Sequence, residues 1–193
     1  MSSKPRIYFD SCCFLDMLQH TVKIGDKASR TAHVFYLRKL LQFAKTGGAE
    51  VFTSTLTVAE CTHVVDTAQA TQPKIYTDEI KRLIDGMLLS TKSGVMPVQP
   101  TPNIIRLARD LLWVHGVSHK AMDSIHIATA INQKCDYLLT SDEPLKAKML
   151  PLASIFALRF CYADSLKHLM PSDSAQADLE LRGGMAGDAT AAA

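Results

Sequence analysis

Residues 121–142 read AMDSIHIATAINQKCDYLLTSD. In the first half, Met122, Ile125, Ala128 and Ile131 recur at a helical spacing, which predicts a helix over 119–134 with one buried face. In the second half, DYLLTS at 136–141 is a short apolar run of strand type, and Asp142 follows it directly. A helix that feeds into a buried strand is the building unit of a layered α/β fold. The alternation extends both ways, with strands predicted at 6–10, 50–53, 95–98 and 154–161 and helices at 30–46, 55–70 and 74–90. Ser11 begins a short helix, and another runs through Lys146 with Pro144 in its first turn. A further helix opens with Thr101 as cap and Pro102 at the first helical position, then repeats Ile104, Ile105, Ala108, Leu111 and Leu112 along one side. The expected class is α/β with a mainly parallel central sheet.

The chain has 193 residues, 47% of them apolar, enough for one compact domain with a modest appendage. The expected division is a domain at 1–171 and an Ala/Gly-rich, disordered tail at 172–193, which holds seven Ala and three Gly. No internal repeat is visible. Lys and Arg total 21 against 19 acids, a net charge of +2 that argues against a histone-like binder and against an acidic disordered chain. The tail carries −3, so residues 1–171 carry +5. No run approaches the roughly 20 apolar residues of a membrane span, and residues 1–10 do not resemble a signal peptide. The five cysteines, Cys12, Cys13, Cys61, Cys135 and Cys161, lack the paired spacing of a zinc site and read as free thiols in a reducing cytoplasm.

In an open parallel sheet, ligands bind at the carboxyl ends of the strands. Asp10 closes the first predicted strand and Asp142 follows the DYLLTS strand. Glu60 lies one to two turns into the helix after the second strand, and Asp123 stands in the apolar helix. Each has a plainer role available. Asp10 and Asp142 sit where helix caps belong, Thr57-x-x-Glu60 matches a capping box, and Asp123 can share a solvated stripe with His126. As a set they point further, because clustered carboxylates repel unless protonated or neutralised by a cation. Oxygen donors without thiolate or imidazole favour Mg²⁺ or Mn²⁺, and metal-dependent phosphodiester cleavage is the chemistry such a set suggests. A haloacid-dehalogenase-type phosphatase needs a second Asp two residues after the first, where this chain has Cys12. A response-regulator receiver needs paired acids at the first strand end and a Lys at a late one, and this chain has neither.

The motifs resemble those of the PIN domain family of ribonucleases over residues 6–165. Asp10-Ser11 resembles its opening D-[ST], Thr57-Val-Ala-Glu60 its helix-borne glutamate, Asp123-Ser-Ile-His126-Ile-Ala its D-x-x-H-x-A signature, and Thr140-Ser-Asp142 its T-x-D. The resemblance implies a three-layer α/β/α sandwich and a Mg²⁺- or Mn²⁺-dependent endoribonuclease. It assigns the acidic site to Asp10, Glu60, Asp123 and Asp142, with Asp10, Asp123 and Asp142 as metal ligands and with Ser11 and Thr140 in support. Many members have Asn two residues after the first Asp, where Cys12 stands here, so the hydrogen bond that orients that loop is in question. His126 is expected to pack or to orient another group rather than act as general base. Small bacterial members are often VapC-type toxins held in check by an antitoxin protein, so RNA, an antitoxin and a second copy in a homodimer are the implied partners. The chain is longer than such toxins at 21–32, at 66–90 and in the tail. The alternative is a non-catalytic PIN-fold module that binds RNA or protein.

RNA needs basic residues near the acids. His115, His119 and Lys120 precede Asp123 and are the candidates for contact. Arg106 with Arg109, the set Lys74, Lys81, Arg82 and Lys92, and the set Arg30, Arg38, Lys39 and Lys45 read as solvated helix faces. Trp113 is expected in the core or at a dimer contact rather than stacked on a base.

Overall fold

A computed structural model describes residues 4–117 and 120–171. Five strands, β1 (Arg6–Phe9), β2 (Glu50–Ser54), β5 (Val95–Val98), β6 (Tyr137–Leu139) and β7 (Arg159–Cys161), form one sheet in the order β5-β2-β1-β6-β7. Every pairing in it is parallel. A separate antiparallel hairpin joins β3 (Val64–Val65) to β4 (Lys74–Ile75).

Alternation along β1 decides the layers. Ile7 and Phe9 enter one core with side chains of α1 (Ser11–Val22), α2 (Thr31–Lys45) and α4 (Asp78–Leu88). Tyr8 enters the other core, packed with α5 (Pro102–Trp113), α6 (Ala121–Asn132) and α7 (Glu143–Phe156). All three side chains are fully buried, as a strand covered on both faces requires. The result is the three-layer α/β/α sandwich. No helix among the described residues is long and apolar enough to cross a membrane.

The order of the strands places the site. The chain runs outward from β1 to β2 and β5, then returns across β1 to β6 and β7. Direction therefore reverses between β1 and β6, and the carboxyl edge there is where an open α/β sheet forms its crevice. Asp10 and Asp142 emerge at that point.

Five sequence expectations are corrected. The helix expected over 55–70 is only α3 (Leu56–Glu60), after which the β-branched Thr62, Val64 and Val65 turn into the hairpin. Asp66 stabilises the turn by accepting from Ala68 N, and Gln72 adopts a left-handed φ of 44° before Pro73. Consequently α4 starts only at Asp78, capped by the Thr77 hydroxyl, which accepts from Ile80 N. The strand expected at 154–161 starts late, because Leu145, Met149 and Leu152 carry a buried helical stripe onward to Phe156. Ala157, at φ 52°, ends that helix and leaves Arg159–Cys161 as the strand. The helix begun by Ser11 is long rather than short, running for 12 residues. In α6 the buried set is Ser124 and His126 through Ala130, while Met122, Ile125 and Ile131 are only half-buried. The expected tail at 172–193 lies outside the described residues.

Gly25 fixes how the hairpin meets the end of α1. Its φ is +66°, and a Cβ there would stand 2.1 Å from the Val65 carbonyl oxygen. Gly25→Ala combines a left-handed backbone with a backbone clash and is expected to cost about 2 kcal/mol or more. Urea unfolding measures it.

Candidate active site

Asp10 leaves β1 as the N-cap of α1, its Oδ1 accepting from Ser11 N at 2.8 Å. The side chain is 7% exposed, and its Oδ2 accepts from the Thr140 hydroxyl at 2.8 Å. Thr140 Oγ1 in turn accepts from Asp142 N at 3.1 Å. One buried hydroxyl thus couples the two strand-end acids across neighbouring strands. Asp142 also caps α7, its Oδ1 accepting from Leu145 N at 2.9 Å. The capping roles are real, and each leaves carboxylate capacity to spare, since a carboxylate offers about four lone-pair sites.

Cys12 resolves the question of the missing Asn. Its thiol donates to Asp10 Oδ2 at 3.1 Å, lies 3.3 Å from Thr140 Oγ1, and its sulfur accepts from Ser141 N at 3.1 Å. The side chain ties the β1 loop to the β6 loop through these contacts. Cys12 and Cys161 are half-buried, and Cys13, Cys61 and Cys135 are buried; all five are free thiols. Burial pushes Cys135 up to about 12 and Cys161 to about 11, which keeps both protonated and unreactive.

Asp123 sits in the first turn of α6 and lines a cavity of about 190 Å³ with Lys120, Asp142, Pro144, Leu145 and Lys148. Its carboxyl is raised above the ordinary value by partial burial and by the charges of Asp10 and Asp142, against the pull of Lys120. Three of the four acids therefore act on one another.

Glu60 belongs to a different linkage. Its Oε2 is 2.7 Å from His126 Nε2, and His126 Nδ1 is 2.7 Å from the Tyr8 hydroxyl. His126 is buried and Tyr8 fully so. Burial opposes charge on His126, but the Glu60 hydrogen bond and the fields of Asp10, Glu60 and Asp123 raise its pKa. Burial likewise works against the Glu60 charge, and the His126 hydrogen bond and charge, with a bond from Ser11, lower its pKa overall. His126 thus bridges the second core to a site acid, with Asp123 one helical turn earlier on α6.

The basic residues divide. Lys120 lines the acidic cavity, and Lys148, which sequence reasoning missed, joins it from the second turn of α7. His115 does not line it: its ring packs edge-on against Phe156 at 5.1 Å. His119 lies outside the described residues. Arg106 bonds Asn103, Arg109 bonds Asp110 and Lys81 bonds Asp85, the local pairings of solvated helices. Arg30 departs from its strip by pairing with the buried Asp16 of α1. Trp113 is 73% exposed beneath the Arg109 guanidinium, so it is not a core residue.

The model of the PIN domain family matches residues 7–148, and the chain belongs to that family. PIN domains are in general nucleases, and they usually employ divalent metals. A comparison with curated proteins finds no match. Among the described residues, no group of three or more His, Cys, Asp or Glu side chains is placed to hold a metal ion. The chemistry of the donors is nevertheless the kind that suits a hard cation. The set is all carboxylate oxygen, and partial burial together with the charges of Asp10 and Asp142 raises Asp123.

Proposed function

We propose that this PIN domain is a Mg²⁺- or Mn²⁺-dependent endoribonuclease whose site comprises Asp10, Glu60, Asp123 and Asp142. The observation that carries the reading is the carboxyl-edge cluster, in which Thr140 bonds the Asp10 carboxylate and the Asp142 amide while partial burial and the charges of Asp10 and Asp142 raise Asp123. Asp10, Asp123 and Asp142 are the residues that would hold the cation. When bound, such an ion would offset the charge of the acids, acidify water and stabilise charge growing on the phosphate.

The chain's own groups do the rest. Ser11 and Thr140 fix the Asp10 carboxylate by capping and by direct hydrogen bonding. Glu60, whose ionised form the His126 hydrogen bond and charge favour, is the fourth acid of the site in this reading. Lys120 and Lys148 flank Asp123 and meet the phosphate backbone.

The toxin role, of VapC type in a toxin–antitoxin pair, rests on the family resemblance, as does the antitoxin partner, and the cytoplasmic location rests on the five unpaired cysteines. A homodimer is further supported by the exposed α5 surface of Ile105, Leu112 and Trp113. The non-catalytic alternative draws on Cys12, whose thiol bonds to Asp10, and on the extra segments at 21–32 and 66–90.

Matched single strands of RNA and DNA test the reading. RNA cut internally in Mg²⁺ or Mn²⁺, DNA left intact and full loss of cutting in EDTA are expected. Binding of RNA without cleavage in either metal would favour the non-catalytic module.

A further inference from the structure

Arg30 reaches the carboxyl edge from outside the motifs that carry the four acids. It ends a short 3₁₀ helix (Ala28–Arg30) within the segment at 21–32 that lengthens this chain. We propose that Arg30 is a positioning residue, a guanidinium strut that fixes the Ser141–Asp142 loop relative to Asp10. The proposal rests on the nuclease reading for its purpose and on its own geometry for the contacts.

The two arms of the guanidinium go to different elements. Nη1 pairs with Asp16 Oδ1, and Nη2 donates to the Ser141 carbonyl oxygen at 3.4 Å, 111 positions away in sequence. Asp16 lies in α1, the helix that Asp10 caps, and Ser141 immediately precedes Asp142. One side chain therefore spans from the helix begun by one strand-end acid to the loop that carries the other. A contact of 3.4 Å is long for a hydrogen bond and would mean little alone. Here the opposite side of the same residue is held as well, since Ser141 N donates to Cys12 Sγ at 3.1 Å. On the far side of Asp142, Glu143 is bonded by Lys146 Nζ at 2.8 Å and by the Tyr162 hydroxyl. The residues flanking Asp142 are thus gripped from both directions, which sets where its carboxylate stands.

The chemistry of the pair supports this role over a purely stabilising one. The Asp16 side chain is 3% exposed, and its Oδ2 is buried with no hydrogen-bond partner among the described residues. Arg30 is what offsets that charge. A buried ion pair gains little net stability over apolar side chains of the same volume, so the core does not account for it. Its second arm does, because a planar fork of donors can hold two acceptors in fixed relation, which the point charge of a lysine cannot. Carboxylates that share a cation need placement to about 0.5 Å, and such precision comes from side chains whose own positions are locked. Arg30 is locked by Asp16, and through Ser141 it passes that constraint to Asp142.

The test compares ¹⁵N-labelled full-length wild type with two variants. Arg30→Lys keeps a charge beside Asp16 but has no second arm, and the double variant Asp16→Asn with Arg30→Met leaves no buried charge unpaired. Amide hydrogen exchange is followed first, in metal-free buffer. The Ser141 and Asp142 amides should exchange roughly tenfold faster or more in both variants, while amides of β1 and β2 keep their wild-type rates. Mn²⁺ affinity measured by calorimetry should fall severalfold, and RNA cleavage should lose kcat with KM unchanged. Unchanged exchange at Ser141 and Asp142 in both variants would overturn the strut, as would faster exchange spread evenly over the sheet. A raised KM with unchanged exchange and unchanged Mn²⁺ affinity would make Arg30 a direct phosphate contact and overturn it too. A wild type that neither binds Mn²⁺ nor cuts RNA rejects the nuclease reading alone, since exchange in the loop still reports on the strut.

Discussion

Asp123→Asn is expected to abolish RNA cleavage while making the metal-free protein more stable. The loss should reach about 10³-fold, because a ligand to the proposed cation and its charge disappear while the shape is kept. The gain has the opposite sign for a definite reason. Partial burial and the charges of Asp10 and Asp142 raise the Asp123 carboxyl above its ordinary 3.8, so the folded protein binds its proton more readily than the unfolded chain. In metal-free buffer, stability therefore declines as pH rises from that ordinary value through the raised one, and the amide variant lacks the decline. Urea unfolding in EDTA at several pH values measures the gain, and a timed cleavage assay measures the loss. A residue kept only for helix capping or packing would lose stability on substitution.

His126→Ala is expected to be the most destabilising single change at the site. It leaves the buried Tyr8 hydroxyl without its partner, removes the Glu60 ion pair and opens a cavity in the second core. An orphaned buried polar group and a lost buried ring together cost about 3 kcal/mol, or roughly 6–12 °C in Tm for a chain of this size. Cleavage should fall too, through Glu60. The pH dependence has two limbs. His126 is raised above 6.5, so its contribution is complete below 6.5 and is lost as pH climbs through the raised value. Glu60 is lowered below 4.5, so its contribution is complete above 4.5 and is lost as pH falls through the lowered value. The pair is therefore strongest between those ordinary values, and thermal unfolding across pH should show a wild-type advantage over His126→Ala that shrinks on either side.

Sequence and structure agree where the signal is local. The run RIYF announces a strand buried on both faces, and Asp10 and Asp142 are legible because each ends a strand and begins a helix. Residues 61–77 are not legible in the same way. Their break depends on β-branched residues, an Asx turn and Pro73 overriding an expected helical period. Tyr8 and His126 are 118 positions apart, and no spacing rule connects them. Asp16 with Arg30, and Lys148 at the acidic cavity, escaped for the same reason. Net charge also proved uninformative, since Lys120 and Lys148 matter by position rather than by number.

The most direct measurement is calorimetric titration of Mn²⁺ into the metal-free protein and its variants. The expected result is saturable binding in the wild type, weakened at least tenfold by Asp123→Asn and little changed by Glu60→Gln, whose carboxylate is engaged with His126. Mn²⁺ binding that survives intact when Asp10, Asp123 and Asp142 are all changed to Asn, in a protein that still folds, would contradict a metal-holding carboxyl edge.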